Sequence, residues 1–209
     1  MMKIPIFYPI LDADSARRNG LSPVEAALRI LSGGARILQF RYKAVFSRQV
    51  MVDVEKMANL CSQSGAIFVI NDRADIARMT GAALHLGQDD LSPSQARPVI
   101  GAAATIGYST HNEQQLLAAA SEPADYLALG PIFGTSSKQN PDPVVGVEEL
   151  RRLRRFTDRP LVAIGGITRA NARSVIAAGA DSVAVIGDLF PEDGRIEARV
   201  REWVELLSR

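Results

Sequence analysis

Cysteine is almost missing from this sequence. The single thiol, Cys61, can form neither an internal disulfide nor a cysteine-based zinc site. Its place in an apolar helical pattern marks it as a buried, unreactive group. Histidine is nearly as scarce: His85 and His111 stand alone, with no His-x-x-His spacing, which argues against bound zinc. Neither sign of charge is in excess, since 24 basic residues face 23 acidic ones for a formal net charge of +1. Generic nucleic-acid binding needs a basic surplus and is not expected. No apolar run approaches the roughly 18 residues of a membrane span. The opening residues lack a charged leader, a long apolar stretch and a small-residue cleavage site, so no signal peptide is expected and the expected location is cytoplasmic. A glycine-rich fingerprint after the first apolar run is absent too. The chain continues there as "DADSARRNG", which counts against a doubly wound dinucleotide-binding sheet. With no linker, low-complexity tract or charge asymmetry, residues 1–209 are expected to form a single domain.

What is present is a rhythm of short apolar runs and amphipathic segments. The runs are "IFYPIL" (6–11), "RILQFR" (36–41), "IFVIN" (67–71), "ALHLG" (83–87), "TIGYS" (105–109), "DYLALG" (125–130), "LVAIG" (161–165) and "SVAVIG" (182–187). Between them lie helical patterns. "SPVEAALRILSGG" offers Ser22 as N-cap, Pro23 at the first helical position and glycines at its end. "SRQVMVDVEKMANLCSQSG", "NEQQLLAAAS", "VEELRRLRRF", "TRANARSVIAAG" and "EARVREWVELLS" follow the same logic. Strands alternating with helices predict right-handed βαβ units and a parallel sheet. Eight units in a chain of this size predict an α/β fold, a small (β/α)₈ TIM barrel.

In such a barrel, chemistry belongs at the C-terminal ends of the strands. The second strand ends "QFRYK", and period-two alternation aims Gln39, Arg41 and Lys43 the same way. An amide and two cations there suit an anionic ligand. The third strand ends on Asn71 and Asp72, and the fourth runs into Asp89 and Asp90. Neighbouring strands are about 4.8 Å apart, so Asp72 and one of those acids can converge. Facing carboxylates repel unless one is protonated or a cation lies between them. Beside Arg41 and Lys43, a magnesium ion carrying a phosphate group satisfies all of these charges. Each acid also has a structural alternative: Asp72 as N-cap of "RADIARM", and Asp89 or Asp90 in the turn before "SPSQAR".

Other positions divide between support and chemistry. His85, inside a strand, is expected to be a hydrogen-bonded core residue, and His111 a surface residue at a helix start. The loop "GPIFGTSSKQNPDP" carries Thr135, Ser136, Ser137 and Lys138, which suits a lid closing over an anion. Glycines in "AIGGIT" and "VIGDLF" let backbone N–H groups approach a phosphate. "RRLRRF" at 151–156 is expected to be a solvated helix face.

Taken together, "QFRYK", "INDRADIA", "LHLGQDDL", "IGYSTHN", "DYLALGPIFGTSSK" and "AIGGI" resemble the thiamine phosphate synthase family, in its order and over nearly the whole chain. The resemblance implies a (β/α)₈ barrel that couples 4-amino-5-hydroxymethyl-2-methylpyrimidine diphosphate with a thiazole phosphate, forming thiamine phosphate and releasing diphosphate. It implies that Gln39 and Ser109 contact the pyrimidine, while Arg41, Lys43, Asn71 and Lys138 hold the diphosphate. It implies Asp72 and Asp90 as ligands of Mg2+. Thr135 and Ser137 would touch substrates from the lid. Gly166 and the backbone at Ile186 and Gly187 would hold the thiazole phosphate. No protein nucleophile is needed, and no Ser-His or Cys-His pair is evident. Gly187 stands where the family usually has Ser, Tyr42 where it commonly has an acid, and Ser137 where Thr is frequent. The charges often found after the lid lysine are absent from "QNPDP". A thiazole tautomerase of the same superfamily and a non-catalytic ligand-binding paralogue are the alternatives. The oligomeric state, a homodimer included, is left open.

Overall fold

The computed structural model describes residues 3–135 and 142–208. Among them, eight strands and nine α-helices alternate. The order is β1 (Phe7–Asp12), α1 (Ala13–Arg18), α2 (Pro23–Ser32), β2 (Ile37–Arg41), α3 (Arg48–Gln63), β3 (Ile67–Asn71), α4 (Ala74–Thr80), β4 (Ala83–Leu86), α5 (Pro93–Ile100) and β5 (Ile106–Thr110). It continues with α6 (Glu113–Ala118), β6 (Tyr126–Leu129), α7 (Val147–Leu153), β7 (Leu161–Ile164), α8 (Ala172–Ala177), β8 (Ser182–Val185) and α9 (Ile196–Leu207). Every strand pairs in parallel with its sequence neighbour, and β1 closes on β8 with Tyr8 opposite Ala184. The (β/α)₈ expectation holds. The helix α1 was not anticipated; Asp12 starts it by accepting from Ser15 N at 2.9 Å.

Local signals explain where helices begin. Ser22 and Glu25 form a reciprocal capping box with Pro23 at the first turn, and Ser92 and Gln95 repeat it before α5. Strand alternation then sorts side chains into two cores. Tyr8, Ile10, Ile37, Val69, Ala83, Tyr126, Ala128, Val162 and Ala184 fill the barrel interior. Leu38, Phe40, Ile70, Leu84, Leu86, Leu127 and Val183 point outward into the larger core beneath the helices. Cys61 is buried in that outer core, and burial pushes its thiol up to about 12, well outside the reactive range.

The C-terminal helix ties down the turn after β8. Trp203 of α9 stacks on Phe7 with ring centroids 5.3 Å apart and donates Nε1–H to Asp188 Oδ2 at 2.8 Å. Arg199 holds the same carboxylate at 3.1 Å and Arg169 at 3.3 Å. Asp188 lies within the 3₁₀ turn Gly187–Leu189, so this cluster fixes the backbone after β8. The "RRLRRF" segment behaves as a surface: Arg151 pairs with Glu148, and Arg152 with Glu149 and Glu113.

Candidate active site

Charged groups gather where the first four strands end. Arg41, last in β2, places Nη1 2.5 Å from Asp12 Oδ2 at the end of β1. The other oxygen of Asp12 accepts from Ser15 N and Oγ. One carboxylate thus caps α1 and orients the guanidinium. Lys43, just beyond β2, reaches across β3 to Asp72, with Nζ 2.5 Å from Oδ2. Tyr42 between them turns to a cluster of its own, stacked on Phe40, edge-on to Phe46 and beneath the Arg17 guanidinium. Asn71 ends β3 and is buried at the rim.

Asp72 has a backbone φ of 65°, and it is the non-glycine residue with positive φ among the described residues. Its N–H donates to His85 O at 2.8 Å, continuing the β3–β4 ladder by one rung. This conformation turns the chain and leaves the side chain over the barrel mouth. Burial, then the neighbouring Asp90 carboxylate, raise its pKa to about 6, against the pull of Lys43. The structural alternative, in which Asp72 caps the next helix, is not met. Arg73 holds the cap position of α4, makes no side-chain cap, and pairs instead with Asp75. Asp90 folds back to accept from Gly87 N at 2.7 Å, while Asp89 is exposed. Asp90 is therefore the acid beside Asp72, and the helix cap of α5 falls to Ser92.

The barrel floor beneath this rim is polar. Gln39 is buried and donates to the Tyr8 hydroxyl at 2.9 Å. His85 lies between Tyr126 and Ser109, with Nδ1 3.0 Å from Tyr126 Oη and Nε2 2.9 Å from Ser109 Oγ. The expected core role of His85 holds. The structure does bring a serine and a histidine together, which their separation in sequence concealed. The pair is poorly suited to nucleophilic work: a phenol, not a carboxylate, stands behind the imidazole, and burial pushes its pKa down to about 4.

The far side of the mouth is built from backbone. Ile132 N donates to Ile164 O at 2.8 Å and Phe133 N to Gly165 O at 3.0 Å, sewing the loop after β6 onto the end of β7. Gly166 has φ 63°, and a Cβ there would sit 2.5 Å from Gly134 O. Nothing lies within 4 Å of a Cβ built on Gly187. Thr135 is half-buried beside this seam; Ser136, Ser137 and Lys138 lie outside the described residues. His111 is not the surface residue expected. It is half-buried, with Nδ1 2.6 Å from Gly130 O and Nε2 3.5 Å from Asp142, because the loop after β6 folds over it.

Two regions therefore share one mouth. One holds Arg41 and Lys43 among the carboxylates of Asp12, Asp72 and Asp90 at β1 to β4; the other is formed by backbone and glycines at the ends of β7 and β8. Residues 7–189 match the family model described as thiamine monophosphate synthase. The chain belongs to the thiamine monophosphate synthase family. It is 45% identical over 212 aligned residues to the thiamine-phosphate synthase of Koribacter versatilis, covering 99% of this chain and 97% of the relative. It is 45% identical over 189 residues to that of Chlorobium phaeovibrioides, covering 88% and 90%. Among solved structures, the thiamine phosphate pyrophosphorylase from Pyrococcus furiosus superposes with a TM-score of 0.85 at 29% identity, covering 97% of this chain and 95% of that one.

In and around this mouth, sequence reasoning missed Asp12, Tyr8, Tyr126 and Asp188. Asp12 was readable in principle, as an acid in register with Arg41 at a strand end. The tyrosines carried no such signal, since each reads as an ordinary strand aromatic. Asp188 reads as a turn residue, and its grip on Trp203 crosses 15 positions. Among the described residues, no group of three or more His, Cys, Asp and Glu side chains converges. The Asp72–Asp90 pair offers two carboxylates.

Proposed function

We propose that this chain couples 4-amino-5-hydroxymethyl-2-methylpyrimidine diphosphate with a thiazole phosphate and that it does so with Mg2+ held by Asp72 and Asp90. The observation that carries the metal is the acidic pair itself. Two carboxylates share a desolvated position, one with its pKa raised to about 6, beside a lysine that leaves one of them only partly neutralised. Magnesium takes one or two carboxylates and completes its shell with phosphate oxygens and water, so a two-carboxylate half-site fits a diphosphate-bearing substrate. When bound, Mg2+ would supply positive charge to the diphosphate oxygens as negative charge builds on them.

The remaining work falls to the chain. Gln39 and Ser109, on the polar floor, hold the aminopyrimidine. Arg41, Lys43 and Asn71 at the rim, with Lys138, hold the diphosphate. Arg41 is pre-aimed by Asp12, so little reorganisation is required when charge develops. Gly166 and the backbone at Ile186 and Gly187 receive the thiazole phosphate, and Thr135 and Ser137 close over both substrates. As the methylene C–O bond breaks, its electron pair leaves with diphosphate. The electron-rich aminopyrimidine spreads the positive charge left on the methylene carbon, and the thiazole nitrogen forms the new C–N bond there. No covalent enzyme intermediate is required. Holding the partners on facing sides of one mouth supplies proximity.

The test is formation of thiamine phosphate by purified protein from both substrates, with and without chelator. Coupling is expected, lost on chelation and restored by Mg2+. Undiminished turnover without divalent metal would overturn the metal assignment. Thiazole isomerisation without coupling would point to the tautomerase reaction instead.

A further inference from the structure

The floor groups form one unbranched series drawn from five strands. Gln39 Nε2 lies 2.9 Å from Tyr8 Oη, Tyr8 Oη 2.8 Å from Tyr126 Oη, Tyr126 Oη 3.0 Å from His85 Nδ1, and His85 Nε2 2.9 Å from Ser109 Oγ. Each phenol has one proton to give. The Gln39 amide donates into Tyr8, so Tyr8 must pass its own proton to Tyr126, its one other partner among the described residues. Tyr126, now accepting, has its proton for His85 Nδ1, which must then be bare. The imidazole proton therefore sits on Nε2 and is donated to Ser109. The Ser109 hydroxyl proton is left for a group outside the series, and so is the carbonyl Oε1 of Gln39. With Gln39 oriented this way, the opposite imidazole tautomer, or a charged imidazolium, strands the Tyr8 proton in a buried site, which is costly.

The surroundings hold this arrangement in place. Gly107 stands in register with Tyr126, and a Cβ on it would occupy the space of the Tyr126 ring. The His85 and Tyr126 rings stack with centroids 5.6 Å apart and planes 25° apart. Burial keeps the series neutral, pushing Tyr8 up to about 12 and His85 down to about 4.

We propose that Tyr8, Tyr126 and His85 are positioning residues that fix complementary hydrogen-bonding roles at the two ends of the series. Gln39 presents an acceptor and Ser109 a donor, matched to an aromatic amine that offers an exocyclic N–H and a ring nitrogen. The inference deepens the coupling reaction proposed above and rests on it for the identity of that amine. It makes the floor a reader of the pyrimidine and leaves the thiazole phosphate to the other side of the mouth.

The first test needs no variant and no activity. In full-length protein with ¹⁵N-labelled histidine, imidazole nitrogen shifts distinguish the two tautomers. His85 is expected to carry its proton on Nε2. His111, whose Nδ1 faces the Gly130 carbonyl, carries a proton on that nitrogen and so gives a different pattern in the same spectrum. An Nδ1-protonated or tautomerically mixed His85 overturns the proposal. The second test uses Tyr126→Phe and Tyr8→Phe, each checked for folding by thermal melting. KM for the pyrimidine diphosphate is expected to rise about tenfold or more, with KM for the thiazole phosphate unchanged. An unchanged pyrimidine KM, or an equal rise in both, overturns it. Failure of the wild type to make thiamine phosphate while His85 shows the Nε2 tautomer would sink the coupling reaction and leave the polarity of the series standing.

Discussion

The Lys43 ammonium lies 2.5 Å from the Asp72 carboxylate, and Asp72 is held at a φ of 65°. A residue in that conformation, desolvated and beside a second carboxylate, is placed at the expense of stability. The folded carboxyl titrates at about 6 against an ordinary 3.8. Between those values the folded state binds more protons than the unfolded state, so stability falls as pH rises through the window and stays lowered above it. Asp72→Asn removes the charge yet tolerates positive φ. Without divalent ions at pH 8 the variant is expected to be more stable than wild type, by on the order of 1–2 kcal/mol. The gain should vanish towards pH 4, and coupling activity should be lost. Urea unfolding at pH 5 and pH 8 in chelator, alongside the coupling assay, checks this. A variant less stable than wild type at pH 8 would show that Lys43 outweighs burial.

Asp12 separates support from chemistry. Asp12→Asn keeps an oxygen for the Ser15 N–H and so keeps the start of α1, but it loses the charge that orients Arg41. The helix start is expected to lose about 1 kcal/mol or less, since Asn is as good an N-cap as Asp, while the amide N–H that replaces Oδ2 turns the Arg41 guanidinium away. KM for the pyrimidine diphosphate should rise while KM for the thiazole phosphate holds. Equal effects on both substrates would mean that the change acts through general loosening.

The two glycines proposed to receive the thiazole phosphate should respond in opposite ways. Gly187 has open space around its missing Cβ, so Gly187→Ser should shift stability by no more than about 0.5 kcal/mol. Its hydroxyl is expected to lower KM for the thiazole phosphate. Gly166 combines φ 63° with a Cβ position 2.5 Å from Gly134 O. Gly166→Ala is expected to cost more than about 2 kcal/mol and to pull the loop after β6 off β7. Melting curves and substrate titrations decide both. A Gly166→Ala protein as stable as wild type would contradict the close approach described.

Local pattern carried the architecture. Each strand is short enough for its apolar run to show, each helix has a cap or an apolar stripe, and the alternation leaves a parallel sheet as the natural arrangement. The polar residues that interrupt the runs at 39, 41, 71, 85 and 109 stood out because an amide, a cation or a histidine inside an apolar run is costly without a partner. Short-range chemistry also misled. Asp72 before "RADIARM" looks like a cap, but the turn needed to continue the β3–β4 ladder demands positive φ, and a cap requires extended backbone.

Strand number, most helix starts and most of the polar residues at the strand ends are properties of neighbours along the chain and follow from periodicity and propensity; α1 and Asp12 are the exceptions. Partnerships are different. Asp12 with Arg41, Lys43 with Asp72, His85 with Ser109 and Tyr8 with Tyr126 span 29, 29, 24 and 118 positions. Barrel closure sets their distances through strand register and shear, and it decides which of Asp89 and Asp90 meets Asp72. Linear order carries no term for those contacts, so only the folded chain could pair these groups, desolvate them and give the floor its direction.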